Sequence, residues 1–168
     1  METRNDDEAI ADLTAALAAE LKAHGRRIAT AESCTGGWIA KVCTDLAGSS
    51  AWFERGYVSY SNKSKQELLG VRPALIHRFG AVSAEVAAAM AAGARQRADV
   101  DYALSVSGVA GPDGGSPDKP VGTVCFGWAL TDREAETETL LFVGDRDAIR
   151  RQTVAYALKG ILSRLPRR

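Results

Sequence analysis

Residues 27–48 read RIATAESCTGGWIAKVCTDLAG. Arg27 to Ala31 is a short, mostly apolar run of strand length, and the pair Gly36-Gly37 is a turn signal. Beyond the glycines, Ile39, Val42, Cys43 and Leu46 recur three or four apart until Gly48, which puts them on one face of a helix. A strand, a glycine-bearing turn and a helix in direct succession form the basic unit of an α/β sheet.

The flanking sequence extends that pattern. Before it, Ile10, Leu13, Leu17 and Leu21 share a helical face and His24-Gly25 supplies a stop. After it, Trp52 to Tyr60 is rich in aromatic and β-branched residues, a second strand. Asn62 is expected to cap a short helix that runs through Leu69 and stops at Gly70. Ser83 opens an alanine-rich helix to about Arg97, and Tyr102 to Val106 is a third strand. Gly108 to Pro120, GVAGPDGGSPDKP, is too rich in Gly and Pro for regular structure. Val121 to Leu130 and Glu136 to Val143 read as an antiparallel pair, and Asp145 caps a last helix striped by Val154, Leu158, Ile161 and Leu165. These elements predict an α/β sandwich whose early strands run parallel, with a hairpin added later, as one domain over residues 1–168.

Composition narrows the function. Twenty-one basic and 21 acidic side chains cancel, so no net field favours nucleic acid or an anionic membrane. No apolar run reaches membrane-spanning length, and METRNDDEAIADL lacks the charged-then-apolar pattern of a leader, so a cytoplasmic location is expected. Three cysteines, Cys34, Cys43 and Cys125, have no CxxC or metal-ligand spacing, so neither a disulfide framework nor a zinc site is expected.

Three unusual segments each begin where a predicted strand ends: Ser33 to Gly37, Tyr60 to Lys65 and Ser107 to Gly115. If those strands are parallel, all three meet at the carboxyl edge of the sheet, where α/β proteins bind ligands. Ser33 or Cys34 would then stand at a strand-to-helix turn, where free N–H groups can hold an oxyanion. The alternative is that Ser33 or Thr35 simply caps the helix. Of the bases available, neither His24 nor His77 lies beside a suspicious motif, whereas Lys65 in a desolvating cleft could accept a serine proton and Tyr60 could relay it. Cys34 is the rival nucleophile, against a reading as a small core filler. The Gly108 to Gly115 loop could cradle a phosphate or be a plain connector. It lacks the spacing of nucleotide-triphosphatase and dinucleotide loops. Arg146, Arg150 and Arg151 stand where cations oppose the helix dipole. The solvated reading is favoured for the last two, and Arg146 is equally a candidate for an anion. Tyr60 and Lys65 are five apart, which is not the Tyr-x-x-x-Lys spacing of short-chain dehydrogenases.

Taken together, residues 30–71, 80–94, 105–124 and 144–158, with TAESCTGGW, YSNKSK, SVSGVAGPDGG and GDRDAIRR in that order, resemble the CinA C-terminal domain family. Within it they are most similar to members that stand alone as amidases of a nicotinamide nucleotide. The resemblance implies a three-layer α/β/α sandwich with a mixed, mostly parallel β-sheet, and hydrolysis of the carboxamide of nicotinamide mononucleotide, in pyridine nucleotide salvage, by a dimer that needs no cofactor or metal. It carries the nucleophile onto Ser33 and its tyrosine and lysine onto Tyr60 and Lys65. The residues expected around the substrate are Thr35, Gly36, Gly37, Ser107, Gly108, Ala110, Gly111, Gly114, Gly115 and Arg146, with the 5′-phosphate on the loop, Thr35 and Arg146. The alternative within the same family is a domain that binds a nucleotide as a signal without turning it over.

Overall fold

The computed structural model describes residues 6–166. Residues 1–5, the start of the acidic N-terminal stretch, and 167–168 lie outside it. The chain runs α1 (Asp6–Ala23), β1 (Ile28–Glu32), α2 (Trp38–Thr44), β2 (Phe53–Val58), α3 (Asn62–Leu69), α4 (Pro73–Phe79), α5 (Ala84–Ala98), β3 (Tyr102–Gly108), β4 (Thr123–Ala129), β5 (Glu136–Leu141) and α6 (Arg146–Arg164). The five strands lie in the order β2-β1-β3-β4-β5. β1 pairs in parallel with both β2 and β3, while β4 is antiparallel to both β3 and β5. The sheet is therefore mixed, as the family resemblance implies, and β4 is the strand that is reversed.

Two layers of helices cover the sheet, and strand alternation shows why each face takes the helices it does. On one face, Ile28, Leu104, Val106, Phe126 and Trp128 bury large side chains against α1, α2 and α6. On the other, the residues between them are small: Ala29, Ala31 and Ala103 pack under α3, α4 and α5. Small residues let α5 lie almost on the strands. At its crossing of β4, a Cβ on Gly127 would meet the Ala87 carbonyl oxygen at 2.4 Å. β1 is buried along its whole length because both faces are covered.

Two local expectations change. Asn62 is not the cap of α3 but its first helical residue. Ser61 is extended, and its side chain accepts from the Ser64 N–H. The helix α4 is absent from the sequence pattern. Pro73 starts it with a φ suited to a first turn, and it runs for only 7 residues, too short to show a period.

α5 crosses α3 closely at Gly93, where a Cβ would lie 2.0 Å from the backbone oxygen of Leu69. A backbone carbonyl cannot swing away as a side chain can. Gly93→Ala is therefore expected to destabilise by about 2 kcal/mol, despite the ~1 kcal/mol that alanine otherwise gains in a helix. A thermal melt should show Tm lower by roughly 4–8 °C. An unchanged Tm would mean the two helices separate freely.

Candidate active site

The three parallel strands bring their following segments to one edge. β1 ends at Glu32, in register with Val58 of β2 and Val106 of β3. The Ser33 N–H continues the ladder by donating to Val106 O at 3.1 Å, and Ser59 N–H donates to Glu32 O at 2.9 Å. The convergence expected from the sequence is present.

Alternation along β1 sends Glu32 and Ser33 to opposite faces. Glu32 shares the parity of Ile28 and turns toward α2. There its carboxylate is fully buried and accepts from Thr35 Oγ1 at 2.6 Å, Ile39 N at 2.8 Å and Ala40 N at 3.0 Å. Burial raises its pKa, and the hydrogen bonds from Thr35, Ile39, Ala40 and Gly37 oppose the rise. The N-terminal donors of α2 thus already serve a carboxylate of the chain, so the start of that helix does not hold an oxyanion. The sequence reading passed over Glu32, although its parity with Ile28 and Thr30 was a usable signal.

Ser33 takes the other side, where α3 supplies Lys65. The Lys65 side chain is 2% exposed. Its Nζ lies 3.1 Å from Ser33 Oγ, 3.1 Å from Ser59 O and 3.0 Å from Tyr60 O. All three partners are uncharged. Burial lowers the Lys65 pKa from its ordinary value, against a smaller opposing contribution from Cys34. A neutral amine has two hydrogens and one lone pair. With two hydrogens on the carbonyls of Ser59 and Tyr60, the lone pair is left to face the Ser33 hydroxyl. A neutral amine so placed could take the proton of a serine hydroxyl, without histidine.

The remaining expected residues divide. Tyr60 reaches the pair through its backbone carbonyl, while its side chain is 64% exposed, so its phenol is not positioned as a relay in this structure. Thr35 is turned inward to Glu32 instead of toward a phosphate. Gly36 and Gly37 have φ of 60° and 102°, the left-handed backbone that the turn between β1 and α2 requires. Ser107 is buried and its hydroxyl donates to Ala81 O at 2.8 Å, tying β3 to the entry of α5. Gly108 belongs to β3, and its missing Cβ makes room for Val124 at 2.7 Å, not for a ligand. Ala110 is buried, as is Gly111. Gly114 and Gly115, exposed and with φ of 87° and 82°, present the open backbone of the loop. Arg146 Nη1 donates to Gly111 O at 2.7 Å, which fastens this loop to the start of α6 and leaves a cation beside it.

One further residue corrects the sequence reading, and Cys34 takes the core-filler side of its two readings. Arg150, read as solvated, donates from Nε to Cys34 O at 3.0 Å and from Nη2 to Thr35 O at 3.1 Å. The available signal was its position one turn after Arg146, on the same face of α6. Cys34 is 6% exposed within the core cluster, and burial pushes its thiol up to about 12. A thiol so rarely ionised is a poor nucleophile. Cys34→Ala is expected to keep kcat within about threefold of the parent, because the group removed takes no part in bond making. Loss of ammonia release by the folded variant would reinstate Cys34 as the attacking group.

The CinA C-terminal domain family matches residues 10–165. The chain belongs to that family. Its CinA-type sequence is 55% identical over 153 residues to the nicotinamide-nucleotide amidohydrolase PncC of Escherichia coli K12, with 91% of this chain and 93% of that protein covered. It is also 54% identical over 151 residues to a CinA-like protein of Geobacter sulfurreducens, covering 89% of this chain and 36% of that longer one. Among solved structures, a competence-damaged protein (CinA) superfamily protein from Escherichia coli superposes with a TM-score of 0.91 at 35% identity, covering 98% of this chain and 95% of that one.

Proposed function

We propose that this chain, as one domain, is a nicotinamide-nucleotide amidase that converts nicotinamide mononucleotide and water to nicotinate mononucleotide and ammonia. The observation that carries the reading is the buried Lys65 Nζ, 3.1 Å from Ser33 Oγ and, among the described residues, paired with no carboxylate, in a chain 55% identical to a nicotinamide-nucleotide amidohydrolase.

Ser33 Oγ attacks the carboxamide carbon while its proton passes to Lys65 Nζ. The carbonyl oxygen becomes an oxyanion, held by N–H groups of the Cys34 to Thr35 turn, since the Ser33 N–H and those opening α2 are already engaged. Collapse breaks the C–N bond, Lys65 returns its proton to the leaving nitrogen, and ammonia departs from an acyl-Ser33 ester. Lys65 then takes a proton from water, whose oxygen attacks the ester, and gives it back to Ser33 Oγ as the acid leaves. No cofactor or metal enters these steps. The exposed Gly114-Gly115 backbone with Arg146 is the proposed seat of the 5′-phosphate, and binding energy there would orient the distant amide.

The reaction would serve pyridine nucleotide salvage in the cytoplasm, and no helix among the described residues is long and apolar enough to cross a membrane. Neither nucleic acid nor membrane is a proposed partner. A homodimer is the proposed assembly, since Leu141 and Val143, on and just after the edge strand β5, expose apolar surface that a second copy could cover. The deciding experiment is ammonia release from nicotinamide mononucleotide by the purified chain, with free nicotinamide alongside. Release from the nucleotide at a much higher kcat/KM supports both amide and phosphate recognition. Nucleotide binding without release would favour the signal-binding alternative.

A further inference from the structure

We infer that Arg150 is a positioning residue for the oxyanion-binding N–H of Thr35. The inference deepens the serine-nucleophile reading and rests on it. A trans peptide is planar, so its C=O and N–H point in opposite directions. Arg150 holds two successive carbonyls of the nucleophile turn, Cys34 O at 3.0 Å and Thr35 O at 3.1 Å. The N–H groups of the same two peptide units, Thr35 and Gly36, therefore face away from Arg150. Gly36 N–H uses that direction to donate to Ser33 O at 3.1 Å. Among the described residues the Thr35 N–H has no acceptor, although Thr35 is only 1% exposed. A buried N–H that the fold itself leaves unpaired is rare, and this one is available to donate to an incoming oxygen.

The fold says which side that N–H faces. Arg150 comes from α6, in the helical layer with α1 and α2, where Ile149 and Val154 join the core cluster of Ile28 and Trp128. Lys65 comes from α3, in the opposite layer, where Leu69 packs with Ala29 and Ala31. A donor turned away from Arg150 is turned toward the Ser33–Lys65 side of the sheet. Arg150 is itself steadied by the Trp38 ring, 5.6 Å from its guanidinium carbon. A forked guanidinium can grip two carbonyls in one geometry, which a single ammonium cannot do.

The test uses 4-nitrophenyl acetate as probe, because acetylation of Ser33 requires the oxyanion donor but no particular amide. The Ser33 Oγ–acetyl bond forms, the ester bond to nitrophenolate breaks, and Lys65 takes the serine proton. The rate of Ser33 acetylation, followed by nitrophenolate release and intact mass, is measured for the wild type, Arg150→Ala and Arg150→Lys. Each variant also receives a thermal melt and kcat and KM for nicotinamide mononucleotide. Acetylation slower by about 100-fold in Arg150→Ala, the scale of losing one oxyanion donor, is expected, with KM within about threefold. Arg150→Lys keeps a cation over Trp38 and one hydrogen bond, and should fall between the two; it decides the question if Arg150→Ala does not fold. A folded variant that acetylates within threefold of wild type overturns the inference, even if its Tm is lower, since Arg150 would then only staple α6 to the turn. If the wild type is acetylated at Ser33 yet releases no ammonia, the substrate reading fails and Arg150 is still judged by acetylation. If the wild type is not acetylated at Ser33, the nucleophile and its oxyanion hole fall together.

Discussion

Ser33→Ala is expected to abolish ammonia release while leaving a folded protein that still binds nucleotide. The loss in kcat should reach at least about 10⁴-fold, because the covalent route disappears and what remains is positioning and oxyanion binding. KM should change little, since the proposed role of the hydroxyl is bond making and not substrate binding. The stability cost is small for a reason visible in the site. Ser33 Oγ is one of three oxygens around Lys65 Nζ, and the other two, Ser59 O at 3.1 Å and Tyr60 O at 3.0 Å, can take both hydrogens of the neutral amine. Kinetics with the purified variant, together with a melt and a nucleotide-binding isotherm, separate the outcomes. Retention of more than a hundredth of wild-type kcat by a folded Ser33→Ala would exclude Ser33 as the nucleophile and shift the site toward direct attack by water.

Much of this site was legible because strand ends are legible. Three unusual segments followed three strands, and parallel pairing brought them together. Ser83 and Asp145 announced their helices as caps, and both side chains do accept from the third residue beyond. What escaped belongs to the backbone or to parity. The Tyr60 contact with Lys65 is through a carbonyl, which every residue carries, so the residue type gave no sign of it. Ser61 and Asn62 are equally good caps on paper, and only the extended backbone at Ser61 separates them. Thr35 looked like a phosphate ligand until Glu32, three residues earlier and buried, claimed its hydroxyl at 2.6 Å. Gly108 looked like part of a ligand loop, but its bare Cα is used to pack two strands. In each case the residue type was noticed and its partner, set by tertiary packing, was not.

Lys65 carries the second large effect, and its pH dependence has a definite sign. Burial lowers its pKa in the fold below that of the unfolded chain. Between those two values the unfolded state binds more protons, so stability attributable to this group rises with pH through the folded pKa and levels off at the ordinary lysine value. The same ionisation controls catalysis, because only the neutral amine accepts the Ser33 proton. Wild-type kcat/KM should therefore climb with pH to a plateau, with an apparent pKa below that of a free lysine. Lys65→Met should reduce kcat by about 10²–10⁴-fold and remove that climb. Its melts should also reveal the linkage: the Tm of wild type relative to Lys65→Met should increase as pH is raised from about 6 to about 10. Lys65→Arg separates charge from basicity, for a guanidinium stays protonated throughout this range and should be as inactive as methionine. A flat wild-type profile, or a Lys65→Arg variant with more than a tenth of wild-type kcat, would show that the amine supplies charge alone and that another group takes the proton.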